Sequence, residues 1–188
     1  MLAILAYKLG VNIAAFQFMK SIASPMLNYL MHALSESYLI VLPLLAIYML
    51  LRKDKNVYTF VIAVVLFYVV SDLIKIIVKE PRPCNTPELS WINSYACEAN
   101  YSFPSNHATV LTGLVAFMGR YKYVRIAYIA WLLLVLFGRI YLGAHYFTDV
   151  LAGVLLSIAV AYVLYVYRNE INNLINKMLK KILPILSI

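Results

Sequence analysis

Three short polar stretches carry the residues able to do chemistry in this otherwise apolar chain: residues 75–83 (KIIVKEPRP), 104–107 (PSNH) and 139–149 (RIYLGAHYFTD). They hold two of the three histidines, His107 and His145, together with Lys75, Arg82, Arg139 and Asp149. Ionisable groups beside apolar spans are costly to keep, so a set of them points to function. His145 and Asp149 are four residues apart at the start of a predicted helix and therefore share a face. A carboxylate so placed can hold one ring nitrogen while the other attacks, which makes a nucleophile with its orienter. The same pair would also serve as two metal ligands, or as a polar contact between helices.

Lys75, Arg82 and Arg139 add three positive charges, with no equal number of acidic residues in the motifs. A dianionic phosphate is their natural partner, because guanidinium groups bind phosphate oxygens in pairs and Lys adds a point charge. Basic residues at span ends also anchor lipid headgroups, the role assigned to Lys79. Pro104, Ser105, Asn106 and His107 precede an apolar helix, where unpaired backbone N–H groups and the positive dipole end favour an anion. Ser105 is equally suited to cap that helix. His107 then lies within reach as general acid to a leaving oxygen.

The elements that must position these residues are membrane helices. Of 188 residues, 64% are hydrophobic and 13% charged, against roughly 45–50% apolar and 25% charged in soluble domains. The fold expected is all-α, a polytopic bundle of about five transmembrane helices. The net charge of +8 lies in clusters between apolar segments rather than in stripes with interleaved aromatics, so no nucleic-acid partner is expected. The clearest spans are residues 37–51, 57–78, 107–118, 123–142 and 147–167. The first and third are short, and are expected to extend into residues 27–36 and into Ser105 and Asn106. Residues 2–18 are either a sixth span or an interfacial helix, the reading preferred because Lys8, Asn12 and Gln17 interrupt them.

At the other end, Ile171, Leu174, Ile175, Met178, Leu179 and Ile182 recur at helical spacing among basic residues. The tail, residues 168–188, therefore reads as an amphipathic helix on the membrane surface, with packing against other subunits of a homo-oligomer as the alternative. Residues 1–188 are expected to form one domain, with a catalytic core at about 57–167. The N-terminal stretch has neither the basic start nor the cleavage site of a signal peptide and is read as retained.

Alternating antiparallel spans bring the three motifs to one membrane face. Arg52, Lys53, Lys55, Arg120, Lys122, Arg125, Arg168, Lys177, Lys180 and Lys181 fall on the other. By the positive-inside rule the latter face is cytoplasmic, so a multi-pass cell-membrane protein with an external site is expected. Cys84 and Cys97 both lie in the loop on the motif side. An oxidising compartment would join them; two free thiols are the alternative.

Taken together, the three motifs resemble the type 2 phosphatidic acid phosphatase family and its pattern KxxxxxxRP, PSGH, SRxxxxxHxxxD. Here the pattern reads Lys75, Arg82 and Pro83, then Pro104, Ser105, Asn106 and His107, then Gly138, Arg139, His145 and Asp149. The spacings agree, and the resemblance covers the second span to the fifth. Two positions depart from it. Asn106 replaces a glycine, and asparagine tolerates positive φ better than other residues, which would keep the backbone path and its N–H donor. Gly138 replaces a serine and loses a hydroxyl, leaving only its backbone N–H.

The resemblance implies that His145 attacks phosphorus to form a phosphohistidine while Asp149 holds its imidazole. His107 would protonate the leaving oxygen and then activate water. Lys75, Arg82, Ser105, Asn106 and Arg139 would hold the equatorial oxygens. Neither metal nor other cofactor is implied, and Asp72 has no assigned role. An external site among apolar helices suits a membrane lipid phosphate. A polyprenyl diphosphate of the undecaprenyl or dolichyl type, a glycan carrier dephosphorylated for reuse, is favoured. Phosphatidic acid or phosphatidylglycerophosphate is the alternative, and a lipid or anion transporter the alternative of another class. The transporter lacks its expected internal repeat.

Overall fold

The computed structural model describes residues 2–95 and 97–182, and in these residues it is all-helical. Eight α-helices follow one another: α1 Leu2–Ser21, α2 Pro25–Glu36, α3 Tyr38–Leu51, α4 Asn56–Val78, α5 Asn106–Leu114, α6 Lys122–Tyr141, α7 Phe147–Val166 and α8 Arg168–Ile182. Among the described residues, four stretches are long and apolar enough to cross a membrane: Pro25–Leu51, Asn56–Leu89, Lys122–Tyr141 and Phe147–Val166. Their large apolar side chains, among them Leu51, Ile77, Leu133 and Leu155, are exposed, as a lipid-facing exterior requires.

The first span begins where local chemistry starts a helix. Ser24 accepts a hydrogen bond from Leu27 N at 3.3 Å, and Pro25 occupies the first helical position, where its missing N–H costs nothing. From there α2 and α3 run on almost continuously, so the short first span does extend back into the more polar residues before it.

The expected third span behaves differently. Ser105 caps α5, its Oγ accepting from Ala108 N at 3.4 Å, so the helix cannot grow backwards. The α-helical part is 9 residues, about 14 Å at 1.5 Å per residue, against roughly 30 Å of hydrocarbon. A 3₁₀ turn, Val115–Met118, completes the segment. Instead of facing lipid, α5 fills the centre of the bundle. Ala108, Thr109, Val110, Leu111, Gly113 and Leu114 are all buried. A Cβ added to Gly153 of α7 would lie 2.8 Å from both Ala108 Cβ and Ser105 O, so glycine permits that close approach. A helix buried on all sides is apolar on all sides, which is why its sequence looks like a span.

At one end of the bundle, Thr59 of α4 donates its Oγ to Asn172 Oδ1 at 2.6 Å and its N to the same atom at 3.1 Å. The tail helix α8 is thereby docked on α4, with Ile171 packed into the core and Leu174 and Met178 exposed. Arg120, Arg125 and Arg168 gather at this end around a groove of about 830 Å³. The motif residues lie at the other end. There α1 is fastened to the start of α7: Asn12 Nδ2 donates to Thr148 Oγ1 at 3.2 Å, and Phe16 meets the Tyr146 ring. α1 is not among the four stretches long and apolar enough to cross.

Between α4 and α5, the loop returns over the motif end. Cys84 and Cys97 form a disulfide, resolving the alternative left open by the sequence. Ser102 N donates to Glu80 O at 2.8 Å, and Cys84 N to Gly143 O at 3.3 Å, tying the loop to both flanks of the site.

Candidate active site

His145 sits in the short connection between α6 and α7. Gly143 makes this turn with φ +65, and a Cβ there would meet Asn93 O at 1.9 Å, so both the conformation and the space require glycine. The turn then closes on Arg139, whose carbonyl accepts from Ala144 N at 3.1 Å and His145 N at 3.2 Å. One backbone device thus fixes Arg139 and His145 together, at 1% exposure each.

The imidazole is gripped on both nitrogens. Arg82 Nη1 lies 3.2 Å from Nε2. Guanidinium only donates, so Nε2 carries the lone pair and the ring proton is on Nδ1. On the Nδ1 side, Asp149 Oδ2 is 3.8 Å away, too far for a direct hydrogen bond. Ser102 lies between them. Its Oγ donates to Asp149 Oδ2 at 2.5 Å and is 3.4 Å from His145 Nδ1, leaving an oxygen lone pair for the Nδ1 proton. Asp149 Oδ2 also accepts from Tyr146 N at 3.0 Å. The contact expected from sequence between His145 and Asp149 therefore runs through a serine that the sequence motifs do not include. Its position two residues before Pro104, in YSFPSNH, was the available signal.

Around this pair the three cations converge, all at most 3% exposed. Arg82 donates from Nε to Asn100 O at 3.0 Å and from Nη1 to Ala144 O at 2.7 Å. Lys75, in the last turn of α4, donates to the carbonyls of Tyr101 at 2.9 Å and Ser102 at 3.0 Å. Arg139 keeps its Nε buried with no hydrogen-bond partner among the described residues. Such an orphan donor is expensive unless a ligand satisfies it. Burial first, then Arg139, Arg82 and Lys75, push the His145 imidazole well below its usual pKa, so it is neutral and able to attack.

A second residue absent from the sequence reading completes the cluster. Glu98 Oε2 lies 2.7 Å from Arg82 Nη2, and Glu98 Oε1 pairs with Arg139 Nη2. Its burial favours the neutral carboxyl, but Arg139 and Arg82 outweigh this and hold its pKa below the ordinary value. The signal was a carboxylate one residue after a loop cysteine, one of three in that loop with Glu80 and Glu88.

Other expected ligands are placed differently. Ser105 is the α5 cap, and its N donates to Asp149 O at 3.2 Å, so its polar groups serve the scaffold. Asn106 takes no positive φ; among the described non-glycine residues only Lys53 and Lys79 do. It is the first residue of α5, with Nδ2 donating to Asp72 Oδ1 at 2.8 Å and Oδ1 accepting from Ser71 Oγ at 2.6 Å. Asp72 thereby gains a partner and a role in joining α4 to α5. A Cβ on Gly138 would point at Ser35 Oγ, 3.2 Å away, so this position packs α6 on α2.

His107 is stacked edge-on against Tyr38, with centroids 4.8 Å apart, and its Nε2 is buried without a hydrogen-bond partner among the described residues. A pocket of about 70 Å³ beside it is lined by Tyr38, Leu42, Val64, Tyr68, Val110 and Leu111 as well as Asn106. Among the described residues, no group of three His, Cys, Asp or Glu is arranged to hold a metal ion.

Residues 56–173 match the PAP2 superfamily. The chain is 30% identical over 158 residues to the undecaprenyl-diphosphatase of Sulfolobus acidocaldarius, covering 79% of this chain and 74% of that protein. It is 34% identical over 122 residues to sphingosine-1-phosphate phosphatase 1 of Rattus norvegicus, covering 60% of this chain but 28% of that longer protein. Two crystal structures share the fold at 22% identity. Aquifex aeolicus LpxE superposes with a TM-score of 0.69 over 83% of this chain and 95% of its own. The PAP2-type phosphatidylglycerolphosphate phosphatase of Bacillus subtilis superposes at 0.66 over 89% and 87%. With the family match running from the start of α4 into α8, over more than half of the chain, and a 30% identical relative aligned over 79% of it, the chain belongs to the PAP2 superfamily.

Proposed function

We propose that the protein removes the terminal phosphate of a polyprenyl diphosphate through a phosphohistidine on His145. The observation that carries the chemistry is the polarity of the imidazole, with Nε2 bearing the lone pair among three buried cations and Nδ1 backed by Ser102 and Asp149. Nε2 attacks phosphorus, the bond to the leaving oxygen breaks, and His107 supplies the proton that oxygen needs. Water, deprotonated by His107, then attacks the phosphohistidine and releases inorganic phosphate. Lys75, Arg82 and Arg139 hold the equatorial oxygens as charge spreads over them, with the first-turn N–H groups of α5 after Ser105 and Asn106 adding a positive dipole end.

The choice of lipid is supported by the undecaprenyl-diphosphatase relative, which aligns with 79% of the chain. The count of basic residues at the α8 end supports an external site in a multi-pass membrane protein. Phosphate release by the purified protein from C55 diphosphate, phosphatidic acid, phosphatidylglycerophosphate and sphingosine-1-phosphate, each with EDTA present, tests substrate and metal dependence together. The expected result is preference for the diphosphate, unaffected by EDTA. Preference for a glycerol-based or sphingoid monophosphate overturns the substrate, and loss of turnover in EDTA overturns the metal-free mechanism.

A further inference from the structure

Glu98 bridges the two guanidinium groups that the proposed reaction needs for phosphate oxygens. Its Oε2 lies 2.7 Å from Arg82 Nη2, and its Oε1 pairs with Arg139 Nη2. A carboxylate in that position covers the ground of two phosphate oxygens, so a phosphate engaging the same edges must displace it. The three partners differ in freedom. The arginine side chains are 1% exposed, while that of Glu98 is 40% exposed and comes from the loop joining α4 to α5. Arg82 has independent supports in Asn100 and Ala144 O, and Arg139 is fixed by the turn that closes on its carbonyl. Displacement therefore moves Glu98 and leaves the cations in place. The Cys84–Cys97 disulfide keeps the displaced carboxylate close by.

The exchange discriminates between anions by charge and oxygen count. A terminal phosphate offers three oxygens and two charges, enough to replace both carboxylate contacts and also reach the orphan Arg139 Nε. A phosphodiester offers two free oxygens and one charge, matching the carboxylate without exceeding it. The surrounding bilayer is made largely of phosphodiester headgroups, so a site open to them would be filled with unreactive lipid. We propose that Glu98 is a displaceable competitor that sets the charge threshold of this pocket, admitting dianionic terminal phosphates and turning away phosphodiesters. It is a specificity device resting on the phosphatase reading above.

The test uses the purified full chain in nanodiscs and its Glu98→Gln and Glu98→Asp variants. Binding of inorganic phosphate is measured by calorimetry, and inhibition of phosphate release by phosphatidylglycerol is measured alongside. Glu98→Gln should bind inorganic phosphate about tenfold tighter, the equivalent of one net charge-assisted contact, and should become sensitive to phosphatidylglycerol. Glu98→Asp, which keeps the charge on a shorter arm, should shift the same way by a smaller factor. Phosphate affinity that is unchanged or weaker in both variants overturns the proposal, since a carboxylate that merely positions the arginines would lose affinity on neutralisation. A wild-type protein that releases no phosphate from any terminal-phosphate lipid defeats the phosphatase reading instead, and the binding comparison still decides whether Glu98 competes with phosphate.

Discussion

Arg82 Nη1 lies 3.2 Å from His145 Nε2, and because a guanidinium can only donate, this contact assigns the ring lone pair to the nitrogen facing the cations. It joins residues 63 positions apart, one after the end of α4 and one before the start of α7. The geometry leaves His145 as a neutral imidazole in a positively charged setting, as the proposed nucleophilic role requires.

Replacing His145 with Ala should lower phosphate release by at least about 10³-fold, since a covalent nucleophile cannot be bypassed by binding alone. Steady-state turnover on a lipid phosphate measures this. Residual turnover within tenfold of wild type would remove His145 from the nucleophilic role.

Ser102 Oγ sits on the Nδ1 side of the imidazole, opposite the nitrogen proposed to attack. Its replacement by Ala leaves Nδ1 facing Asp149 Oδ2 at 3.8 Å with no oxygen between them. kcat should fall about tenfold, the worth of one hydrogen bond, with a much smaller change in KM. A rise in KM at constant kcat would mean that Ser102 serves substrate binding.

The depressed pKa of His145, caused by burial and then by Arg139, Arg82 and Lys75, links stability to pH. Below about pH 6.5 the unfolded chain's histidine takes up a proton that the folded one refuses, so the unfolded state binds more protons. The contribution is complete above that pH and is lost as pH falls toward the folded value. Thermal unfolding should show Tm dropping below about pH 6.5, less steeply in His145→Asn. An unchanged slope in the variant would assign the effect elsewhere.

Gly143→Ala forces a side chain into positive φ and onto Asn93 O, 1.9 Å from the added carbon. The turn must shift, carrying His145 with it. Loss of several kcal/mol of stability is expected, at about 1–2 for the left-handed backbone alone and more for the clash. Thermal unfolding and turnover should fall together; a variant of normal Tm and activity would contradict the structure at this turn.

Much of the architecture was legible because burial in lipid and burial in protein both demand apolar residues. That same degeneracy bears on residues 107–118. Their apolar run reads as a span, and the structure shows a short helix capped by Ser105 and packed at the centre of the bundle, since hydrophobicity alone does not distinguish lipid from neighbouring helices. The extension of the first span through residues 27–36 was readable, since Ser24 and Pro25 carry a local start signal.

The sequence by itself determined which residue types are available for chemistry: Lys75, Arg82, Arg139, His107, His145 and Asp149, spaced at the ends of apolar segments. These depend on residue type and helical period, which are local. Only the tertiary structure decided what stands between them. Ser102 enters the space between His145 and Asp149, Asn106 turns to Ser71 and Asp72, and Glu98 spans Arg82 and Arg139. Each is a contact made by a loop or helix end whose path follows from packing and from the Cys84–Cys97 link, and no periodicity in the chain encodes it.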